Sequence, residues 1–307
     1  MAKEDQNIII AWMGWRLSAP KDWRPLRMEG DWMRGMMMMG DGEQAIMQLK
    51  WWRPSGRFRW EKWLRRRLKP LGSPKEDAEN APAPEEGFDE IAWIPPRDGV
   101  RAFWYGWSAQ AEMVIEVVLN ASINARINWL VQSKVLPSIR LDGPGDRVHW
   151  SVYSSSFISP PGYRLIERRL QLGEAALWLE DASGSRLLLR QVYPAELALK
   201  RRDMEKWLKM NCFKEKRKYR ARESARPWEL DAGGRHWSGW KERGRKRLPL
   251  PLGFIRPCET LSAVVRDKEL DRLLMVQYDK HREVEEEMLV RMISEMNWAM
   301  QDKRETA

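Results

Sequence analysis

The 307-residue chain is 43% hydrophobic and 32% charged, with 54 Lys and Arg against 44 Asp and Glu, a net charge of +10. That length suits about two domains of ~150 residues, and the apolar content excludes a wholly disordered chain. Two cysteines exclude a disulfide scaffold, and the lack of a signal pattern or of any apolar run near the ~20 residues of a bilayer span predicts a soluble, cytoplasmic protein.

In chain order, Asn7–Leu17 carries Ile8, Ile9, Ile10, Trp12 and Trp15, an apolar run read as strand up to a turn at Pro20. Met36–Met39, Gly40-Asp41-Gly42 and Ala45–Trp52 read as strand, Asp-Gly turn and strand. Strand alternation sends successive methionines to opposite faces, so that run is assigned to core packing and not to copper. Trp60, Trp63, Leu64 and Leu68 then fall at i, i+3, i+4 and i+8, a helix with Arg65, Arg66 and Arg67 turned largely outward. The acidic, proline-bearing stretch at about 72–90 is too polar to offset its ordering entropy and is expected to be a flexible loop. Strands are predicted over Val100–Trp107, Ala111–Leu119 and Arg126–Val131.

The pattern recurs. Pro20 and Trp23 match Pro160 and Tyr163; Gly35 and Asp41 match Gly173 and Asp181; Met47, Leu49, Trp52 and Pro54 match Leu187, Leu189, Val192 and Pro194. Glu61–Leu64 returns intact as Glu205–Leu208, Trp104-Tyr105-Gly106-Trp107 pairs with Trp237-Ser238-Gly239-Trp240, and Arg126–Val131 pairs with Arg272–Gln277. Six matches in one order, at offsets of 133 to 146, point to a duplication. In the second copy Ala175–Leu179 and Leu187–Tyr193 form the hairpin, and Met204, Trp207, Leu208 and Cys212 repeat the helical spacing. His236–Trp240, Glu259–Val265 and Arg272–Tyr278 are further strands. From Arg282, Val284, Met288, Met292, Met296 and Met300 form an i+4 stripe, widened by Leu289 and Ile293. The predicted fold class is α+β: two tandem copies of an antiparallel-sheet module with flanking helices, one over 1–141 and one over 146–307. A basic insertion at about 213–247 belongs to the second.

Pro20, Trp23, Gly35, Asp41, Trp52 and Trp63 in one copy, and Pro160, Tyr163, Gly173, Asp181 and Trp207 in the other, carry a motif order that resembles the PsbP/DcrB-type α/β sandwich. The resemblance implies a fold used mostly by binding or assembly modules. The chain departs from it in lacking the export signal of photosystem and periplasmic members.

The charge is localised. Lys50–Lys69 holds nine basic residues against one acid, and Lys214–Arg247 holds thirteen against five, so the remainder of the chain is net acidic. The candidate partner-binding set is Lys50, Trp51, Arg53, Arg57, Arg59, Arg65, Arg66 and Arg67, with Lys214, Lys216, Arg217, Lys218, Arg220, Arg222, Trp228, Arg243, Arg245, Lys246 and Arg247. Dense positive charge suits phosphates or an acidic protein surface. Trp51 or Trp228 is the candidate stacking platform, while Trp63/Trp207 and the other recurring tryptophans are assigned to the core. No phosphate loop or nucleophile elbow occurs, and His149, His236, His281, Cys212 and Cys258 lack metal-ligand spacing, so no cofactor or metal is expected. Three readings stay open: a non-enzymatic binding or assembly protein for an anionic partner, a protein binding RNA or single-stranded DNA, and an enzyme acting on an acidic substrate between the modules, to which Asp41, Asp181 and the sparse histidines lend little support.

Overall fold

A computed structural model describes residues 7–71, 82–84, 86–96, 101–200, 202–212, 219–232, 234–246, 258–280, 285–296 and 298. The chain is α+β and mostly antiparallel sheet. It divides into two compact units, one of Met1–Ser156 with Asp302–Ala307 and one of Phe157–Gln301. The division falls fifteen residues later than the end of the predicted first module.

In the first unit β1 (Asn7–Trp12) and β2 (Trp15–Pro20) form a hairpin, flanked by β9 (Arg140–Leu141) and β10 (Val148–Val152) in the order β10-β1-β2-β9. Met13 and Gly14 take positive φ at its two-residue turn, as a primed hairpin turn requires. A second sheet runs β3-β4-β5-β8-β7-β6, built from β3 (Arg24–Gly30), β4 (Arg34–Gly40), β5 (Ala45–Trp52), β6 (Glu90–Ile94), β7 (Phe103–Ser108) and β8 (Met113–Leu119). Alternation on β4 buries Met37 and Met39 and leaves Met36 and Met38 half-buried. Helix α1 (Trp60–Leu68) lays Trp60, Leu64 and Leu68 on Ala92, Ile94, Tyr105 and Val114 of this sheet. Trp15 and Trp51 meet on the opposite face, ring centroids 6.2 Å apart.

Arg126–Val131, predicted as strand, is helical. Helix α2 (Ala125–Leu130) is capped by the Asn124 side chain, which accepts from the Ile127 amide at 2.9 Å. The cap satisfies an amide that the first helical turn leaves open. Of the acidic stretch, the described part is irregular and touches β7 and the turn after it: Pro82 accepts from the Trp104 indole, Phe88 packs edge-on against the same ring, and Asp89 accepts from the Ala109 amide. Residues 72–81 and 85 lie outside the described residues.

Strand β11 (Ser155–Ser159) holds the division between units. The second unit's sheet runs β12-β13-β14-β18-β17-β16-β15, from β12 (Arg164–Gln171), β13 (Glu174–Glu180), β14 (Arg186–Val192), β15 (Tyr219–Ala232), β16 (Arg235–Lys246), β17 (Glu259–Asp267) and β18 (Arg272–Lys280). Read by position, β12-β13-β14-β18-β17-β16 follows the same path as β3-β4-β5-β8-β7-β6, with β15 as an added edge strand. Strand β7 therefore occupies the place of β17, not β16, and the pairing of Trp104–Trp107 with Trp237–Trp240 fails on topology. A short helix α3 (Ala195–Leu199) precedes α4 (Met204–Asn211), which buries Trp207 and Leu208, with Cys212 after it, against Ala176, Leu188, Val264 and Met275. Helix α5 (Glu286–Ser294) buries Leu289, Met292 and Ile293; Val284 and Met300 of the predicted stripe lie outside the described residues.

Asp41 and Asp181 anchor hairpin turns. Asp41 Oδ1 accepts from the amides of Gln44 and Glu43, which hold its carboxyl below the usual range. At Asp181 partial burial opposes ionisation, but bonds from the Ser183 hydroxyl and the amides of Ser183 and Ser185 (2.7–2.9 Å) outweigh it and lower the pKa. A depressed carboxyl stabilises the fold above its unfolded pKa near ~3.9 and loses that contribution as pH falls through the folded value. Asp181→Ala should therefore lower stability by about 1 kcal/mol in urea titrations at neutral pH. The deficit should narrow in acid as the Asp181 carboxyl protonates in the folded state.

Candidate binding cleft in the first unit

On β5 the side chains alternate. Leu49 and Trp51 turn away from α1, while Lys50 and Trp52 share its side of the sheet. Lys50 lies opposite Glu116 of β8 in register, and its Nζ donates to Glu116 Oε1 at 2.7 Å. Arg67, in the last turn of α1, reaches Glu116 Oε2 at 3.3 Å. The Glu116 side chain is only 8% exposed, so two cations meet the cost of burying one carboxylate. Burial first, then the Glu116 charge, pushes the nearby Tyr105 hydroxyl pKa upward.

These groups border a cleft of about 720 Å³ between α1 and strands β3, β4, β5 and β8. Its aromatic wall is a ladder. Trp52 lies 6.5 Å from Trp63 at an interplanar angle of 22°, and Trp63 lies 5.4 Å from Trp60 at 25°. Phe58 braces Trp52 edge-on at 5.5 Å, and the Arg67 guanidinium sits 5.6 Å from the Trp63 ring centre. Arg34 adds an exposed cation at the rim.

The sequence-predicted residues separate sharply in this structure. Lys50 and Arg67 are in the cleft. Arg57, Arg59, Arg65 and Arg66 are exposed on or just before α1, and among the described residues they make no ion pair. Arg65–Arg67 also complement the negative end of the helix. Two first-segment residues are corrected. Trp51 is 1% exposed, with its indole Nε1 donating to the Asp31 carbonyl, so it is no platform; Trp52, 36% exposed, is the accessible indole. Arg53 is 9% exposed and donates to the carbonyls of Trp32 (2.6 Å) and Met13 (3.0 Å), with its guanidinium 3.9 Å from the Trp32 ring centre. It is a structural cation.

In the second unit the basic segment from Tyr219 is a strand hairpin, β15–β16. Trp228 is 9% exposed under Lys241, whose Nζ lies 5.5 Å from the ring centre, so it too offers no open platform. Arg222 pairs with Glu259 at 2.7 Å, Arg226 with Glu286 at 3.4 Å, Lys241 with Glu286 at 2.6 Å and Arg235 with Asp267 at 3.5 Å. Lys241, then burial and further cations, leaves the Glu286 pKa lowered. Arg243 is half-buried and Arg245 exposed. Arg220 and Lys246 are placed by strand register, beside Arg245 and Tyr219 respectively. Lys214, Lys216, Arg217, Lys218 and Arg247 lie outside the described residues.

A smaller cleft of about 170 Å³ lies beside α4, bordered by Arg169, Arg190, Asn211 and Trp178. Arg190 pairs with Glu174 at 3.1 Å, donates to Asn211 Oδ1 and lies 5.2 Å from the centre of the Trp207 ring, which is buried. Of the histidines, His149 meets Asp142 and Arg16, and His236 meets Asp231; His281 is outside the described residues. Sequence reasoning missed Trp52 as the open face, Trp63 as part of a site, and Glu116. The signal for Glu116 was one carboxylate inside the apolar run Met113–Leu119.

No protein family's sequence pattern matches the chain, and no curated protein matches it in sequence. Among solved structures, a mutant of protein Mog1 is similar at 11% identity and a TM-score of 0.25, over 47% of this chain and 81% of that one. Among the described residues no helix is long and apolar enough to cross a membrane.

Proposed function

We propose that the chain is a non-enzymatic intracellular binding or assembly protein, made of two tandem PsbP/DcrB-like modules, whose first unit docks an anionic partner on α1 and its cleft. The shared strand path of the two larger sheets supports the duplication. So does the register of β1 and β10, which sets Ala11 opposite Ser151, the same 140-residue separation that relates Pro20, Asp41 and Met47 to Pro160, Asp181 and Leu187.

The observation that carries the docking surface is the contrast in charge pairing. Arg65 and Arg66 of α1 stand exposed without an ion pair among the described residues, while four described cations of the β15–β16 hairpin are matched by Glu259, Glu286 and Asp267. A surface already neutralised contributes little to long-range attraction; unpaired arginines on one helix face set up a local positive field. Asp41 and Asp181 serve hairpin turns, where their carboxylates accept backbone amides.

Fluorescence anisotropy with a labelled oligouridylate of about 20 nucleotides and an oligoglutamate of similar length tests the reading. At about 50 mM salt at least one should bind, and binding should weaken steeply as salt rises. Failure of both at low salt would overturn it.

A further inference from the structure

Resting on that reading, we propose that the anionic partner is a single-stranded nucleic acid, one base of which stacks on Trp52 while neighbouring phosphates meet Arg34, Arg65 and Arg66. An acidic peptide needs cations but has no use for an open indole. A nucleic-acid strand uses both, because every base presents a π face and every link a phosphate. The cleft brings the two together: Trp52 is the exposed end of a ladder that Trp63 and Trp60 hold rigid, and Phe58 fixes its tilt.

Three features narrow the partner. The cleft, at about 720 Å³, is roomy enough for a base to enter. The base must leave its neighbours to do so, which favours a single strand over a duplex. The cations of α1 continue beyond the cleft, giving a strand several phosphate contacts where a free nucleotide has one. A membrane surface fits poorly, because Trp60, Leu64 and Leu68, the apolar side of α1, are buried in the sheet and cannot enter a bilayer. The second unit supplies a built-in comparison: the cleft beside α4 is about 170 Å³, Val192 stands where the alignment places Trp52, and Trp207, the counterpart of Trp63, is buried.

The test is Trp52→Ala against Trp52→Phe, with oligouridylate and oligoglutamate as probes and the melting temperature as the folding control. Trp52→Ala should weaken oligouridylate binding about 5- to 150-fold, Trp52→Phe should stay within about threefold, and both should melt near wild type. A 5-bromouracil oligonucleotide should photocrosslink to Trp52 or Trp63. Undiminished oligouridylate binding by a folded Trp52→Ala protein would overturn the proposal. So would oligoglutamate binding as tightly as oligouridylate, or tighter, which would assign the surface to an acidic protein and leave the broader reading standing. Failure of both probes with wild-type protein would instead remove the docking surface itself.

Discussion

Replacing Trp51 by alanine should destabilise the protein by about 3–5 kcal/mol, the range for emptying a buried tryptophan site, whereas Trp52→Ala next to it should cost about 1 kcal/mol or less. Trp51 fills the space between β5 and Trp15, its Nε1 is bonded to the Asp31 carbonyl, and its ring lies over Gly35. The approach to Gly35 is close enough that a Cβ there would sit 2.3 Å from the indole. The variant loses the transfer energy of the ring and leaves a cavity that the sheet cannot close. Urea unfolding of the two variants side by side reads the difference; equal losses would contradict the assignment of Trp51 to the core and Trp52 to the surface.

Arg53→Met should cost about 2–4 kcal/mol, because two carbonyls lose their donors at once. The guanidinium spans Trp32 and Met13 while stacking on the Trp32 ring, and a Cβ at Gly14 would come within 2.7 Å of it. Methionine keeps part of the apolar contact and none of the bonds. Measured below its melting transition, the folded variant should bind oligouridylate within about twofold of wild type, since a buried cation adds no phosphate contact. A tenfold loss of affinity at unchanged stability would return Arg53 to the binding surface.

Much of the fold is legible in short-range pattern. The spacing of Trp60, Trp63, Leu64 and Leu68 marks α1, and the turns at Asp41-Gly42 and Asp181-Ala182-Ser183-Gly184 mark both hairpins, since these features follow from local geometry. The internal repeat misleads at two places where local sequence signals differ from it. Asn124 is a good helix cap, yet Arg126–Val131 was aligned to a strand; Trp-x-Gly-Trp recurs, yet its two instances occupy different strands of a common path. The site was half legible. Lys50 and Arg67 are named by composition, but which of two adjacent indoles faces solvent depends on the layer each strand face meets. Which cations are neutralised depends on strand register: Arg222 meets Glu259 and Lys241 meets Glu286, partners 37 and 45 residues away. Net charge along a sequence does not register such pairing.

The most direct test removes equal charge from the two basic surfaces. Oligouridylate binding would be measured across a salt series for wild type, Arg65→Gln/Arg66→Gln in α1, and Arg222→Gln/Arg226→Gln in the β15–β16 hairpin. The α1 pair should weaken binding about tenfold or more at low salt and flatten the dependence of log affinity on log salt by about 1.4, the contribution of two phosphate contacts on a single strand. The hairpin pair should shift affinity by about twofold or less and leave the slope unchanged. Equal effects from both pairs, or a larger effect from the hairpin, would contradict a binding surface located on α1 and its cleft.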